Sequence, residues 1–339
     1  MFRRAALVVV LGATIALAPC PAFAQPPSWT LLWENDVVFG SDDDYTNGLR
    51  LSADFSKALW WKRWGLGYKN CGEQTDASKP CLRTTVMFGQ NFYTPHDITV
   101  KQVLEGERPY AAWLYGGFAG RVSRPARLTS VELQIGTTGK AALGKEIQTW
   151  FHSLPGMNSP RPKGWNNQVK PVPGVVGIIA SWDDRFAFPP NTRRASAFFD
   201  ADAIPYYRFT VGNVHTHAAI GTMLRFGHNI QGWGTDKIAP TVRATSGDEP
   251  QPKDRRIFYG FAGLEARAVA WNALLQHETY TSRQLPRISR AVVDFEVGFE
   301  VGYRPWSGGF RWVRRSQEFN GASVSKFGGL FIRWVPFGS

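Results

Sequence analysis

Apolar and polar residues alternate along most of this chain. The clearest run is "VVDFEVGFEVGYR", where Val293, Phe295, Val297, Phe299, Val301 and Tyr303 fall on one face. Asp294, Glu296, Gly298, Glu300, Gly302 and Arg304 fall on the other. A period of two held over a dozen residues predicts an extended strand with two unlike faces. "TSVELQIGT" repeats it, with Val131, Leu133 and Ile135 set against Ser130, Glu132 and Gln134. "NGLRLSADF" does so again, with Leu49, Leu51, Ala53 and Phe55 against Arg50, Ser52 and Asp54.

The pattern predicts strands near 29–38, 45–56, 83–93, 111–123, 129–138, 174–188, 196–210, 214–227, 256–270, 288–304, 308–318 and 324–337. About twelve long antiparallel strands are an even number, as a closed barrel requires. A soluble sandwich also alternates. Long strands carrying 14 Trp and 23 Phe fit a transmembrane β-barrel better, with the apolar face toward lipid and aromatic girdles at both interfaces. The predicted fold class is all-β, a closed antiparallel transmembrane barrel of about twelve strands with one short helix in an outer loop.

The helix is "KEIQTWFHSLPG", Lys145 to Gly156, stopped by Pro155 and Gly156. On a helical wheel Leu143, Ile147, Trp150, Phe151 and Leu154 cluster, with Gln148 and His152 on roughly the opposite side. Two readings stand open. The helix caps the barrel mouth with His152 in water, or it lies between lipid and barrel wall with Gln148 and His152 facing the wall.

The first residues change the compartment. Arg3 and Arg4, an apolar run and "AFA" predict a secretory signal peptide over residues 1–24, leaving 25–339 as one barrel domain. No later apolar run is long enough for a transmembrane helix. With the N-terminus in the periplasm, 39–44, 94–110 and 139–173 become outer loops. Cys71 and Cys81 fall in a periplasmic turn, where a disulfide or a metal pair is the choice. The formal charge of +12 then points to an anionic membrane surface or anionic lipid, and not to nucleic acid.

Candidate chemistry concentrates in two places. In "WENDVVFGSDDDYTNG", Asn35 and Asp36 end the first strand, and Asp42, Asp43, Asp44 and Thr46 follow. Such oxygen ligands suit Ca²⁺, and equally a solvated acidic hairpin tip. The other place is the Gln148/His152 helix. Strict alternation puts Asn35 on the outer face with Trp29, Leu31 and Trp33. It sends Asp36 and Thr46 inward, so both need a bulge at the strand end to join an outside site. His215 and His217 in "NVHTHAA" share a face and read as a metal pair or a lining pair. His96, His228 and His277 have no clear partners. No G-x-S-x-G nucleophile motif is present.

Five segments in order, "ND", "DYTNG", "GERPYAAWLYGG", "QIGTTGKAALGKEIQTWFH" and "GWNNQ", resemble the outer-membrane lipid A 3′-O-deacylase family. The resemblance implies a twelve-stranded, Ca²⁺-dependent outer-membrane enzyme. It would remove the 3′-linked acyloxyacyl group of lipid A in the outer leaflet, with its site between the outer wall and a loop helix. The matching positions are Asn35, Asp36, Thr46, Gln148 and His152. They imply His152, Gln148, Asn35 and Thr46 as catalytic, and Asp36, Asn35, Thr46 and Asn158 as metal-binding. The family's type enzyme is acidic six residues after the histidine, where this chain has Asn158.

Lipid A within lipopolysaccharide is the expected partner of a monomer. Arg108, Lys140, Lys145, Arg161 and Lys163 are candidate phosphate contacts on the predicted outer loops. An outer-membrane phospholipase and a non-catalytic lipopolysaccharide-binding or structural barrel are the alternatives.

Overall fold

A computed structural model describes residues 26–36, 44–62, 67–76, 78–153, 160–172, 176–189, 199–230, 232–233, 255–281 and 286–336. The expected signal peptide, Asp42, Asp43, Leu154, Pro155, Gly156 and Asn158 lie outside these residues.

The strands are β1 (Ser28–Asn35), β2 (Asp44–Phe55), β3 (Lys69–Asn70), β4 (Cys81–Thr94), β5 (Ala111–Ser123) and β6 (Arg127–Thr138). They continue as β7 (Gly177–Phe186), β8 (Asp200–Gly212), β9 (His215–His228), β10 (Arg256–Asn272), β11 (Ala291–Tyr303), β12 (Trp306–Arg315) and β13 (Ser325–Trp334). Each long strand pairs antiparallel with its neighbours, and β1 joins β13 to close the ring. The chain is therefore a closed antiparallel barrel of twelve strands. The two-residue β3 is an addition that pairs parallel with the start of β4.

Alternation decides which medium each side chain meets. On β11, Phe295, Phe299, Val301 and Tyr303 are exposed outward, while Asp294, Glu296 and Glu300 are buried inward. The outer face is apolar and the lumen is charged, the pattern of a barrel in a bilayer. The lumen charges are paired across strands. Asp294 accepts from Arg267 at 2.8 and 3.0 Å and from Arg315 at 2.9 and 3.0 Å. Arg225 grips Asp202 at 2.6 and 2.9 Å, and Arg311 donates to Glu34. Buried charges persist only in such company.

Strand direction puts the 37–43, 95–110 and 139–176 connections at one end, as the sequence predicts for outer loops. At that end the described parts of the 95–110 and 139–176 connections bond to each other, and the latter also bonds to the connection after β10. Val169 N–H donates to Tyr110 O at 2.8 Å, Lys163 N–H to Ile98 O at 2.8 Å, and Lys170 N–H to Glu278 O at 2.9 Å. At the other end Cys71 and Cys81 form a disulfide ten residues apart in sequence, so the metal-pair reading falls.

Candidate active site on the outer wall

The helix spans Gly144–Phe151, shorter than the sequence suggests, and His152 is the residue that ends it. A short turn, Gly139–Ala142, leads in from β6. Gly139 has φ +70°, a left-handed conformation that glycine adopts without strain, and a Cβ there would strike Pro171 at 2.9 Å. Leu143 also has a positive φ of 58° and turns the chain into the helix. His152 N–H donates to Gln148 O at 3.0 Å, so the two side chains keep their i, i+4 relation past the helix end.

The buried stripe is Gly144, Ile147, Gln148, Phe151 and His152, with Ile147 and Phe151 only partly covered. This corrects the wheel reading. Consecutive residues stand about 100° apart on a helix, so Ile147 and Phe151 share the wall-facing side with Gln148 and His152. Leu143 falls outside the helix. Trp150, 50 % exposed, is left on the far side with Lys145, Glu146 and Thr149.

Beneath that stripe is an apolar patch on the outside of the barrel. Phe92 and Ala112 face outward from β4 and β5, and Ile98, Tyr110, Ala142 and Trp165 pack against them. Ile147 and Leu114 complete it. The helix therefore lies on the outer wall. Gln90, also outward, donates to Ala142 O at 2.5 Å and pins the lead-in turn.

The strand-end group lies in the same cross-strand row. Asn35 pairs with Asn47, Asn47 with Phe92, and Phe92 with Ala112. A Cβ on Gly144 would sit 2.9 Å from Ala112 Cβ, which places the helix start over the end of this row. Three strand spacings separate Asn35 from Ala112, roughly 14 Å.

The bulge that Thr46 needs is present. The β2–β4 register slips between Tyr45 and Asn47. Tyr45 points inward, where its hydroxyl donates to Glu34 at 2.8 Å. Thr46 is the extra residue, and its hydroxyl lies 2.6 Å from that of Thr94. Thr94 shares the outward face of Phe92 by alternation, so Thr46 Oγ1 is carried to the lipid side. Asp36 sits just past β1, 1 % exposed, with its N–H directed to Thr46 O at 3.5 Å. Asp36, Asn35 and Thr46 are all buried at this strand end, and a carboxylate, an amide oxygen and a hydroxyl are hard-oxygen donors that fit Ca²⁺ in kind.

Gln148 and His152 are each fixed through one atom. Trp165 Nε1 donates to Gln148 Oε1 at 2.6 Å. His152 Nδ1 lies 2.8 Å from Pro160 O. A carbonyl only accepts, so Nδ1 carries a proton, and the neutral tautomer that this selects has its lone pair on Nε2. A hydrogen-bond donor and a base thus stand one helical turn apart against a lipid-facing wall.

Other expectations resolve differently. Arg108 is no free phosphate contact: it is buried, donates to Glu318 at 3.4 Å and stacks 4.5 Å over Tyr93. Lys140 sits 4.5 Å over the Tyr280 ring. Lys145, bonded to Asn166 at 3.0 Å, Arg161 and Lys163 remain exposed beside the helix. His215 and His217 are a buried lining pair, Nδ1 to Nδ1 2.9 Å. Among the described residues no group of three or more His, Cys, Asp or Glu could hold a metal ion. Sequence reasoning missed Thr94, Asn47 and the role of Trp165. Thr94 had a signal, since it is a polar residue on the parity of Val86, Phe88 and Phe92.

Fold and site together define an outer-membrane barrel with a polar cluster on its lipid-facing side. The chain matches the model of the family described as outer membrane protein LpxR over residues 7–335, and it belongs to that family. Among solved structures it is similar to LpxR from Salmonella typhimurium, with 18 % identity, a TM-score of 0.73, and 91 % of this chain and 100 % of that one covered. The β domain of the Bordetella autotransporter BrkA aligns more loosely, at 10 % identity and a TM-score of 0.43, covering 92 % of this chain and 100 % of that one. No curated protein sequence matches.

Proposed function

We propose that this chain is a Ca²⁺-dependent lipid A 3′-O-deacylase of the outer leaflet. The observation that carries the reading is the pair Gln148 and His152, buried against the outer wall with one atom of each side chain held by its neighbours. The family and the resemblance of its motifs to lipid A 3′-O-deacylases support it.

His152 Nε2 takes a proton from a water, whose oxygen attacks the ester carbonyl carbon. Gln148 Nε2 donates to the carbonyl oxygen as it becomes negative. Collapse breaks the bond to the 3′ sugar oxygen, which takes the proton back from His152. The products are a free acyloxyacyl acid and lipid A with a 3′ hydroxyl. The carboxylate of Asp36 and the oxygens of Asn35 and Thr46 would hold Ca²⁺, which when bound polarises the ester carbonyl. Asn158 stands where the family's type enzyme is acidic, and it offers an amide oxygen without a charge. Exposed Lys145, Arg161 and Lys163 suit the phosphates of the glycolipid.

The test is mass spectrometry of lipid A from cells expressing wild type or His152→Ala. Wild type removes a 3′-linked acyl mass and the variant does not. Equal loss from both, or loss from neither, ends the proposal. Release of fatty acid from phospholipid instead would make it a phospholipase. Chelation by EDTA is expected to stop turnover and added Ca²⁺ to restore it, with Asp36→Asn needing more Ca²⁺ than wild type. Turnover indifferent to EDTA would remove the metal from the scheme.

A further inference from the structure

The catalytic reading requires Gln148 to present its NH₂ group, and a glutamine amide can point either way round. The residue that decides is Trp165. An indole N–H donates and cannot accept, so the atom facing it must be the amide oxygen. Trp165 Nε1 stands 2.6 Å from Gln148 Oε1. A flipped amide would set two donors against each other at that distance. Gln148 Nε2 is consequently turned away from the indole, and it is a buried donor that makes no hydrogen bond among the described residues. Both side chains are nearly inaccessible, Trp165 at 1 % and Gln148 at 4 %, so water does not compete for the oxygen.

The indole is itself held. Tyr110 lies against it with ring centroids 4.9 Å apart, and Phe92 meets it edge-on at 6.2 Å. Gly144 makes the remaining space: a Cβ there would come within 2.4 Å of the indole carbons. The indole also stands seventeen residues from Gln148, on the separate turn Trp165–Asn167. The loop therefore returns to the helix and meets it at the amide.

We propose that Trp165 is a positioning residue that acts through Gln148. It holds Oε1 and so commits Nε2 to donate toward the substrate carbonyl oxygen. The inference rests on the deacylase reading above. A tryptophan that merely packed the loop would owe nothing to its N–H.

The experiment uses the full-length barrel in mixed detergent micelles with hexa-acylated lipid A and Ca²⁺, scored by mass spectrometry. Trp165→Phe keeps the aromatic packing and removes the donor. The expected result is a fall in kcat of about tenfold, with KM within twofold and the thermal unfolding midpoint unchanged, the signature of an interaction realised in the transition state. Gln148→Ala supplies the second arm. In that background Trp165→Phe is expected to cost nothing further, because two residues acting through one contact are not additive. Full kcat in Trp165→Phe, or an undiminished penalty when Gln148 is already alanine, overturns the proposal while leaving the deacylase reading intact. An inactive wild type overturns both.

Discussion

The lumen and the wall beneath the helix use polar residues in opposite ways. In the lumen a carboxylate and its guanidinium answer each other across the sheet, as Asp294 does with Arg267 and Arg315. On the wall, Gln148 and His152 each bind a partner that fixes orientation and leaves a reactive atom for something else. Mutual pairing makes a rigid filling. One-sided anchoring is what the proposed site requires. Burial does not distinguish the two regions, since both are almost fully covered; the difference lies in what each hydrogen bond leaves over.

Substitutions in each region should separate the two roles. His152→Ala should lower turnover by a factor of roughly 10²–10⁴, the range expected of a lost general base. The unfolding midpoint should stay at the wild-type value; a large fall there would make His152 a structural residue. Asp294→Ala should do the reverse. It removes the carboxylate that two buried guanidinium groups share, leaving Arg267 with Glu265 at 2.7 Å and Arg315 with Glu318 at 3.5 Å, and should cost about 3–5 kcal/mol of stability, read from urea unfolding of the folded band on unheated gels. The protein that remains folded should turn over within about twofold of wild type.

Gly144→Ala tests the packing between the helix and the wall. The added methyl meets the indole at 2.4 Å and Ala112 Cβ at 2.9 Å. Overpacking of this kind costs about 1–3 kcal/mol locally. Turnover should drop about tenfold by displacing Trp165, with little change in the midpoint for barrel unfolding. Unchanged turnover would show that the indole position is not critical.

The smallest expected effect is a pH dependence at the lumen's outer end. Burial raises the pKa of Glu318, but Arg315 and Arg108 outweigh it and hold the carboxyl below its ordinary 4.5. A depressed folded pKa adds stability that is fully present above the unfolded value. That contribution is lost as pH falls through the folded one. Wild type should lose stability progressively below about pH 4.5, and Glu318→Gln should flatten that loss. An identical slope in both proteins would remove Glu318 from the account.

The strand pattern was legible because period two is a local signal and lipid on one face enforces it. Hence β11 could be read to within a few residues, whereas the two-residue β3 and the four-residue helix Ala273–Gln276 could not. The helix was visible, and Gln148 and His152 face the wall as one of its two readings has it, but Ile147 and Phe151 fall on that side too. A wheel shows where apolar residues cluster and not which side the wall takes, and Ile147 went to the wall. The need for a bulge could be deduced from parity at Asp36 and Thr46. Its location depended on the pairing of β2 with β4, forty-eight residues away at Thr94. Arg108 carried no sign in sequence that Glu318, 210 residues later, would claim it. The link from Trp165 to Gln148 is equally a product of loop closure.

The bulge at Thr46 has a consequence for how such a protein could arise. A sealed barrel wall separates two media, and position parity along a strand decides which one a side chain enters. One extra residue reverses that assignment for everything on its far side while the ring stays closed. A single inserted codon is then enough to move a hydroxyl from an enclosed, charge-filled interior to the membrane side. Chemistry on the outside of a barrel could be gained or lost by changes of reading position within a hairpin, with no remodelling of the scaffold.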